Sequence, residues 1–499
     1  MIVGRRLIIA RLPTRGIRRV EYKEPTRWAT RLPGMADTRT EHDSMGPIQV
    51  PADAYYGAST QRALGNFPIS GQRIPLEVVH ALGLIKAAVA ISSHERGDLD
   101  DEQFKAISQA AEEVIAGDLD AHFVVDVFQT GSGTSSNMNV NEVIANRATE
   151  LLGGALGSKL IHPNDHVNAG QSSNDVFPTA VHLAAYQSCL GDLLPSLSAL
   201  SASLLAKARQ FDDVVKPGRT HLMDAAPVTL GQEFSGYARQ IELGAARVRA
   251  ALKHVAEVPL GGTAVGTGLN APSGMTEQVL AELRRRTGID ELREAANHFE
   301  AQGARDALVE LSGALKVVAV SLTKVANDIR WMGSGPRTGL AEIRLPELQP
   351  GSSIMPAKTN PVLCESVTQV AAQVIGNDAA VTVGGLSGSF ELNTFIPLIA
   401  RNVLESIRLL AKVSAQFAHA CVDGIEADLK RCRELVESDL ATVTALVPAI
   451  GYDRSVELAK KAFVTDRPLR DVVKEAGVLS DEEVDRLLDL RRMAKGDIA

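Results

Sequence analysis

Along the second half of the chain the apolar side chains recur in steps of four and three. From Leu230 they fall at Phe234, Tyr237, Ile241, Gly244, Val248, Ala251, Val255 and Val258, the period of a helix that packs along its whole length. A helix of about 30 residues is ~45 Å long. Leu308, Leu311, Leu315, Val318, Leu322, Val325 and Ile329 repeat the pattern, and Leu190, Leu193, Leu197, Leu200 and Leu204 suggest a third run. Further helical stretches are expected around residues 360–380 and 397–422. These periodicities predict an all-α chain centred on a bundle of very long helices. Packing within one chain is the default account of such stripes. Helices this long bury more apolar surface when several chains pool them, which favours a homo-oligomer.

The rest of the chain divides around this bundle. Residues 45–180 mix short helices with Gly- and Asn-rich loops and are expected to form an N-terminal domain. The bundle occupies 181–434. Residues 435–499 return to shorter helices, with a turn at Gly477-Val478-Leu479-Ser480 and a capping box from Ser480 to Glu483, and form a small C-terminal domain. Residues 1–44 stand apart. Their Arg5, Arg6, Arg11, Arg15, Arg18, Arg19, Arg27 and Arg31 are opposed, up to residue 34, only by Glu21 and Glu24, the bias of an organelle transit peptide. Ser is absent from that stretch, and Pro13, Pro25 and Pro33 interrupt any long amphipathic helix. It reads instead as a disordered arm or misread leader ahead of a true start at Met35. A cytoplasmic location follows, or a mitochondrial one if the leader is real and the source eukaryotic.

Composition narrows the partners. Of the 499 residues 45% are apolar and only 4% aromatic, a bias toward helix over sheet. The formal net charge of -8 leaves no global positive field for nucleic acid or an anionic membrane. No uninterrupted apolar run is long enough to cross a bilayer. Cys189, Cys364, Cys421 and Cys432 are widely spaced, which argues against a disulfide framework or a structural zinc site.

Four polar, Gly-rich segments interrupt the helical background: Thr130–Asn137, Gln171–Asp175, Gly218–His221 and Gly351–Asn360. Three of them lead into or adjoin predicted helix starts. Glycines let a backbone approach a ligand, and free N–H groups at a helix N-terminus favour an anion. Hydroxyls and amides beside them supply neutral donors, so the set suits small carboxylates rather than nucleotides. Caps and turns use the same residue types. The fourth segment differs, because capping does not explain Lys358 beside Ser352, Ser353 and Asn360.

Gly351-Ser-Ser-Ile-Met-Pro-Ala-Lys-Thr-Asn360 resembles the GSSxMPxKxN signature of the fumarase/aspartase superfamily. The likeness extends through Gln129–Ala148, Ile161–Pro178, Gly218–Glu233, Gly261–Asn270 and Phe390–Asn393, most of the chain from about Ile48 to Glu483. It implies an all-helical, three-domain subunit in a homotetramer whose core is a bundle of long helices from all four chains. Within the superfamily the Gly-Arg-Thr-His221 arrangement resembles the fumarases, whereas aspartases carry Gln at the place of His221. The implied reaction is the reversible hydration of fumarate to L-malate in the tricarboxylic acid cycle, without cofactor or metal. Aspartase chemistry is the enzymatic alternative, and a crystallin-like structural protein the non-enzymatic one.

The resemblance also implies roles. Ser352 is the general base on a mobile loop, and Lys358 and Asn360 hold the charge of an aci-carboxylate carbanion. His221 positions or protonates the leaving water, paired with Glu365, which raises its pKa and fixes its tautomer. Ser132, Thr134, Ser172, Ser173, Asn174 and Thr220 bind the substrate carboxylates, each site drawing on three subunits. His162-Pro163-Asn164-Asp165-His166 has a faint metal-site look, but Pro163 followed by Asn164 and Asp165 as helix-cap residues explains the spacing. The family implies a secondary anion site at His162, Asn164 and Asp165. The glycines of Gly262–Gly268 follow a helix-period stretch rather than a strand, which excludes a dinucleotide loop.

Overall fold

The computed structural model describes residues 37–497. The predicted start at Met35 and the Arg-rich stretch before it lie outside the described residues. The expected arm, drawn to residue 44, overlaps an ordered element: Thr38–Asp43 (β1) pairs antiparallel with Gly46–Pro51 (β2). Arg39 fastens this hairpin by donating to the carbonyls of Pro51, Ala52, Ala54 and Tyr56. Most of its side chains are exposed or half-buried, so no apolar alternation marks it in the sequence.

Four helices follow: Ala58–Asn66 (α1), Leu76–Glu95 (α2), Asp101–Ala116 (α3) and Thr134–Leu151 (α4). Asp100 and Gln103 form a capping box at the start of α3, and Gly117 ends it at φ 84°, where a Cβ would be strained. Ser173–Ser188 (α5) continues through a π turn at Cys189–Leu193 into Leu194–Gln210 (α6). The expected third run is thus real, though Leu190 at its head is exposed.

The bundle itself is Leu230–Val255 (α7), Asp306–Met332 (α10), Val362–Leu386 (α11) and Ile396–Ala420 (α12), together with α6. The stripe read from the sequence faces the core: Leu308, Leu311, Leu315, Leu322, Val325 and Ile329 are each 0% exposed. Thr229 and Gln232 cap α7 reciprocally. That helix is shorter than the stripe implied, because Val258 sits in a two-residue strand beside Arg293–Glu294. Between the long helices lie Met275–Thr287 (α8) and His298–Gly303 (α9).

After the bundle come Leu429–Glu437 (α13), Val447–Ile450 (α14), Tyr452–Thr465 (α15), Leu469–Ala476 (α16), Asp481–Leu487 (α17) and Leu490–Lys495 (α18). Leu446, Leu458, Val472, Val473 and Val484 bury themselves in a separate small core. The Ser480–Glu483 capping box forms at α17.

Two helices have the length and hydropathy to cross a bilayer, Leu76–Glu95 and the continuous Ser173–Gln210, although no uninterrupted apolar run was expected. In the first, 72% of the most apolar window is buried inside this chain, so its apolar character serves the protein core.

Candidate active site

Helices α4 and α5 start side by side at one cavity. Gly133, at φ 77°, caps α4 in a left-handed conformation, and the Phe177 ring would lie 2.2 Å from a Cβ there, so only glycine fits. Thr134 is the first residue of α4, and its hydroxyl meets that of the buried Ser132 at 2.7 Å. Ser172 caps α5: its Oγ accepts from the Asn174 N–H at 3.2 Å, while its own N–H donates to Asp175 Oδ1 at 3.0 Å. Asn174 Nδ2 donates to the Ala264 carbonyl at 2.8 Å. Thr134, Asn164, Asp165, Asn168, Ser172, Ser173 and Asn174 line a cavity of ≈ 690 Å³ together with Thr263, Ala264, Leu269 and Asn270. Two helix N-termini and neutral donors around one space favour an anion.

Sequence reasoning missed what lies beneath this cavity. Asp175 is 0% exposed, and its Oδ2 accepts from the N–H groups of Gly261 and Thr263 at 3.1 and 2.9 Å. Burial pushes its carboxyl pKa up, and these backbone donors oppose the shift. It thereby ties the Gly261–Asn270 loop to the start of α5. Lys86, from the middle of α2, is also buried here. A lysine inside the apolar run Leu82–Ile91 was the available signal.

The Gly351–Asn360 loop is exposed and folded on itself. Ser352 Oγ accepts from the N–H groups of Ile354 at 3.2 Å and Met355 at 2.9 Å. Asn360 Nδ2 donates to the Gly351 carbonyl at 2.7 Å, and Lys358 Nζ to Asn360 Oδ1. Glu365 follows in the first turn of α11.

Thr220 and His221 sit on a third element. Val215–Thr220 (β3) and Met223–Thr229 (β4) form a hairpin whose two-residue tip is His221-Leu222. Both tip residues have positive φ, 57° and 60°, as a turn matching the strand twist requires. A buried ionic network braces the hairpin. Lys216 Nζ reaches Glu233 Oε1 at 2.8 Å and Glu342 Oε2 at 3.5 Å, and Arg219 reaches Glu342 at 2.9 Å.

Within one chain, then, the structure brings Thr134, Ser172, Ser173 and Asn174 together with Asn164 and Asp165 around one cavity, with Ser132 joined to it through the Thr134 hydroxyl. Ser352, Lys358, Asn360, Thr220 and His221 do not line that cavity. The expected pair of His221 with Glu365 does not form in the single chain, because the histidine projects from an exposed hairpin tip. His162 lines a neighbouring cavity of ≈ 580 Å³, with Arg62, Lys159 and Asn164. The cap in this segment is His162 itself, not Asn164 or Asp165 as expected: its Nδ1 accepts from the Asn164 and Asp165 N–H groups at 3.3 and 3.2 Å. A histidine with that role needs no metal to explain it, and no cluster able to hold a metal ion occurs among the described residues.

Residues 46–376, which hold most of the long-helix bundle, the α4/α5 cavity and the serine–lysine loop, match the family model described as Lyase. Residues 443–495 match a second model, Fumarase C C-terminus. The class II fumarate hydratase of Mycobacterium tuberculosis is 56% identical over 93% of this chain and 97% of its own length. That of Corynebacterium glutamicum is 57% identical over 91% and 96%. The crystal structure of a class II fumarase from Schistosoma mansoni superposes with a TM-score of 0.89 at 39% identity, covering 92% of this chain and 99% of the other. The chain belongs to the class II fumarate hydratase family.

Proposed function

We propose that this chain catalyses the reversible hydration of fumarate to L-malate, with the substrate carboxylates held at the N-termini of α4 and α5. The observation that carries the reading is the cavity where Thr134, Ser172, Ser173 and Asn174 converge. Dehydration of malate removes a proton from the carbon beside one carboxylate and expels hydroxide from the next carbon as water. Ser352 takes the carbon-bound proton. A serine hydroxyl is a weak base, so its alkoxide must be stabilised, and the Ile354 and Met355 N–H groups already point at Ser352 Oγ. Lys358 adds positive charge in the same loop. Lys358 and Asn360 then stabilise the aci-carboxylate carbanion. On the other face His221, paired with Glu365, protonates the departing hydroxide, while Thr220 and Ser132 complete the carboxylate contacts. His162, Asn164 and Asp165 form a secondary anion site at the entrance.

These groups belong to separate parts of the subunit, and we propose a homotetramer of three-domain chains that assembles each site from several subunits. Ala372, Ile375, Gly376, Ala379, Thr382, Val383 and Leu386 form an exposed, uncharged seam along α11 at helical spacing. Such a seam calls for a partner helix. The four buried thiols suit a reducing, cytoplasmic setting. The test is subunit mixing. Ser352→Ala and His221→Asn proteins, each inactive alone, should regain fumarate hydration when dissociated and reassembled together. Failure of the mixture, with hybrid oligomers demonstrated, refutes the shared site.

A further inference from the structure

We infer that Lys86 is a positioning residue whose buried positive charge sets the affinity of the α4/α5 cavity for a dicarboxylate, acting through Asn168, Gln171 and Asn137 without touching the substrate. The inference rests on the proposed reading of that cavity as the substrate site.

Lys86 is 1% exposed, in the middle of α2. Its Nζ donates to Asn168 Oδ1 at 2.9 Å and to Gln171 Oε1 at 2.8 Å. Both partners are neutral amides. A buried ammonium is costly unless charge and hydrogen bonds offset it, and here burial pulls its pKa down to about 7 against the opposing charge of Asp175. Asp175 gives that charge only partly to the lysine, since its oxygens are engaged by backbone N–H groups. A dianion at the N-terminus of α5, on the far side of Asn168 and Gln171, supplies the missing negative charge.

The hydrogen-bond directions carry the effect to the cavity surface. Asn168 Oδ1 accepts from Lys86, from Asn137 Nδ2 at 3.2 Å and from Asn141 Nδ2 at 3.1 Å. Three donors on one oxygen fix that amide, whose Nδ2 donates to the Gln171 carbonyl at 3.1 Å. Asn137 Nδ2 also donates to Ser173 Oγ at 2.9 Å. Ser173 therefore accepts from below, and its O–H is free to donate into the cavity. Gln171, the other lysine partner, immediately precedes the capping Ser172. Lys86 thus anchors both residues that set the donor geometry at the start of α5.

The experiment compares wild type, Lys86→Met, Lys86→Arg and Ser173→Ala as full-length oligomers. The readouts are KM and kcat for fumarate, and the rise in melting temperature produced by succinate, a non-reacting dicarboxylate. Lys86→Met is expected to raise KM roughly tenfold, to lose most of the succinate-induced rise, and to change kcat far less. Lys86→Arg, which keeps the charge, should recover most of both. If Lys86→Met keeps wild-type KM and succinate response while Ser173→Ala weakens both, the inference is wrong and the cavity reading survives. If Ser173→Ala changes neither, the cavity reading fails and takes the inference with it. A loss of kcat at unchanged KM marks a merely structural lysine and also overturns it. Should Lys86→Met not fold, Asn137→Ala, which cuts the link between Asn168 and Ser173, takes its place. It is expected to raise KM, and an unchanged KM overturns the inference.

Discussion

Replacing Glu342 by Gln should both destabilise the protein and slow it, although Glu342 is not one of the proposed catalytic groups and lies 123 residues beyond Arg219. Its carboxylate is 0% exposed and sits between two cations, with Arg219 Nη1 at 2.9 Å and Lys216 Nζ at 3.5 Å. Lys216, itself 1% exposed, keeps Glu233 at 2.8 Å after the change. Arg219 is part-exposed and regains some water. Breaking a buried ion pair costs about 3–5 kcal/mol, and these two compensations place the loss near the lower bound, about 3 kcal/mol. At roughly 2 °C or more per kcal/mol the melting temperature should fall by several degrees. The same network holds the hairpin that presents His221, whose turn needs two non-glycine residues at positive φ. Loosening it should lower kcat for fumarate by about tenfold or more, because misplacement of a reacting group is costly. Differential scanning fluorimetry and a turnover assay on the purified oligomer suffice. Combining Glu342→Gln with Lys216→Met should cost less than the two changes summed, since they remove one network. An unchanged melting temperature together with wild-type kcat refutes the reasoning.

Other outcomes follow from the same structure. Ser352→Ala should cut kcat by about 10²-fold or more, the scale of a lost general base, while circular dichroism and oligomer size stay at wild type; near-normal turnover excludes Ser352 as the base. Leu322→Ala, at a fully buried bundle position, should destabilise by about 2–5 kcal/mol, read as a lower melting temperature. His182 is buried with its Nδ1 2.9 Å from the Val255 carbonyl, and burial first, then the charge of Arg305, holds its pKa down at about 4. Between that value and the ordinary histidine range the unfolded chain binds the extra proton, so stability rises with pH across the window and is lost as pH falls through it. The loss is about 3 kcal/mol. His182→Gln should flatten the dependence of melting temperature on pH between about 4 and 6.5, and an unaltered profile contradicts the assignment.

The long helices were legible because the period of their apolar residues matches the face they bury, as Leu308 to Ile329 show. A cap was legible where a short polar side chain serves its own helix, as at Ser480. The β3–β4 hairpin was not, since its strands lack alternation and its turn lacks the usual Asn-Gly. It is fixed instead by ion pairs to Glu342, 123 residues beyond Arg219. The cavity lined by Thr134 and Ser172–Asn174 could be anticipated, because both segments read as helix starts. Its foundation could not: Lys86 and Asp175 meet the loop residues through contacts 82 to 88 positions apart. The His162 cap was misassigned because an imidazole nitrogen did there what Asn or Asp usually does.

This chain should interconvert fumarate and L-malate. The most direct measurement is ultraviolet absorbance of the purified protein with L-malate and, separately, with L-aspartate, following the double bond of fumarate. A prompt rise from malate and none from aspartate is expected. A rise from aspartate alone, or silence from both with an intact oligomer, contradicts it.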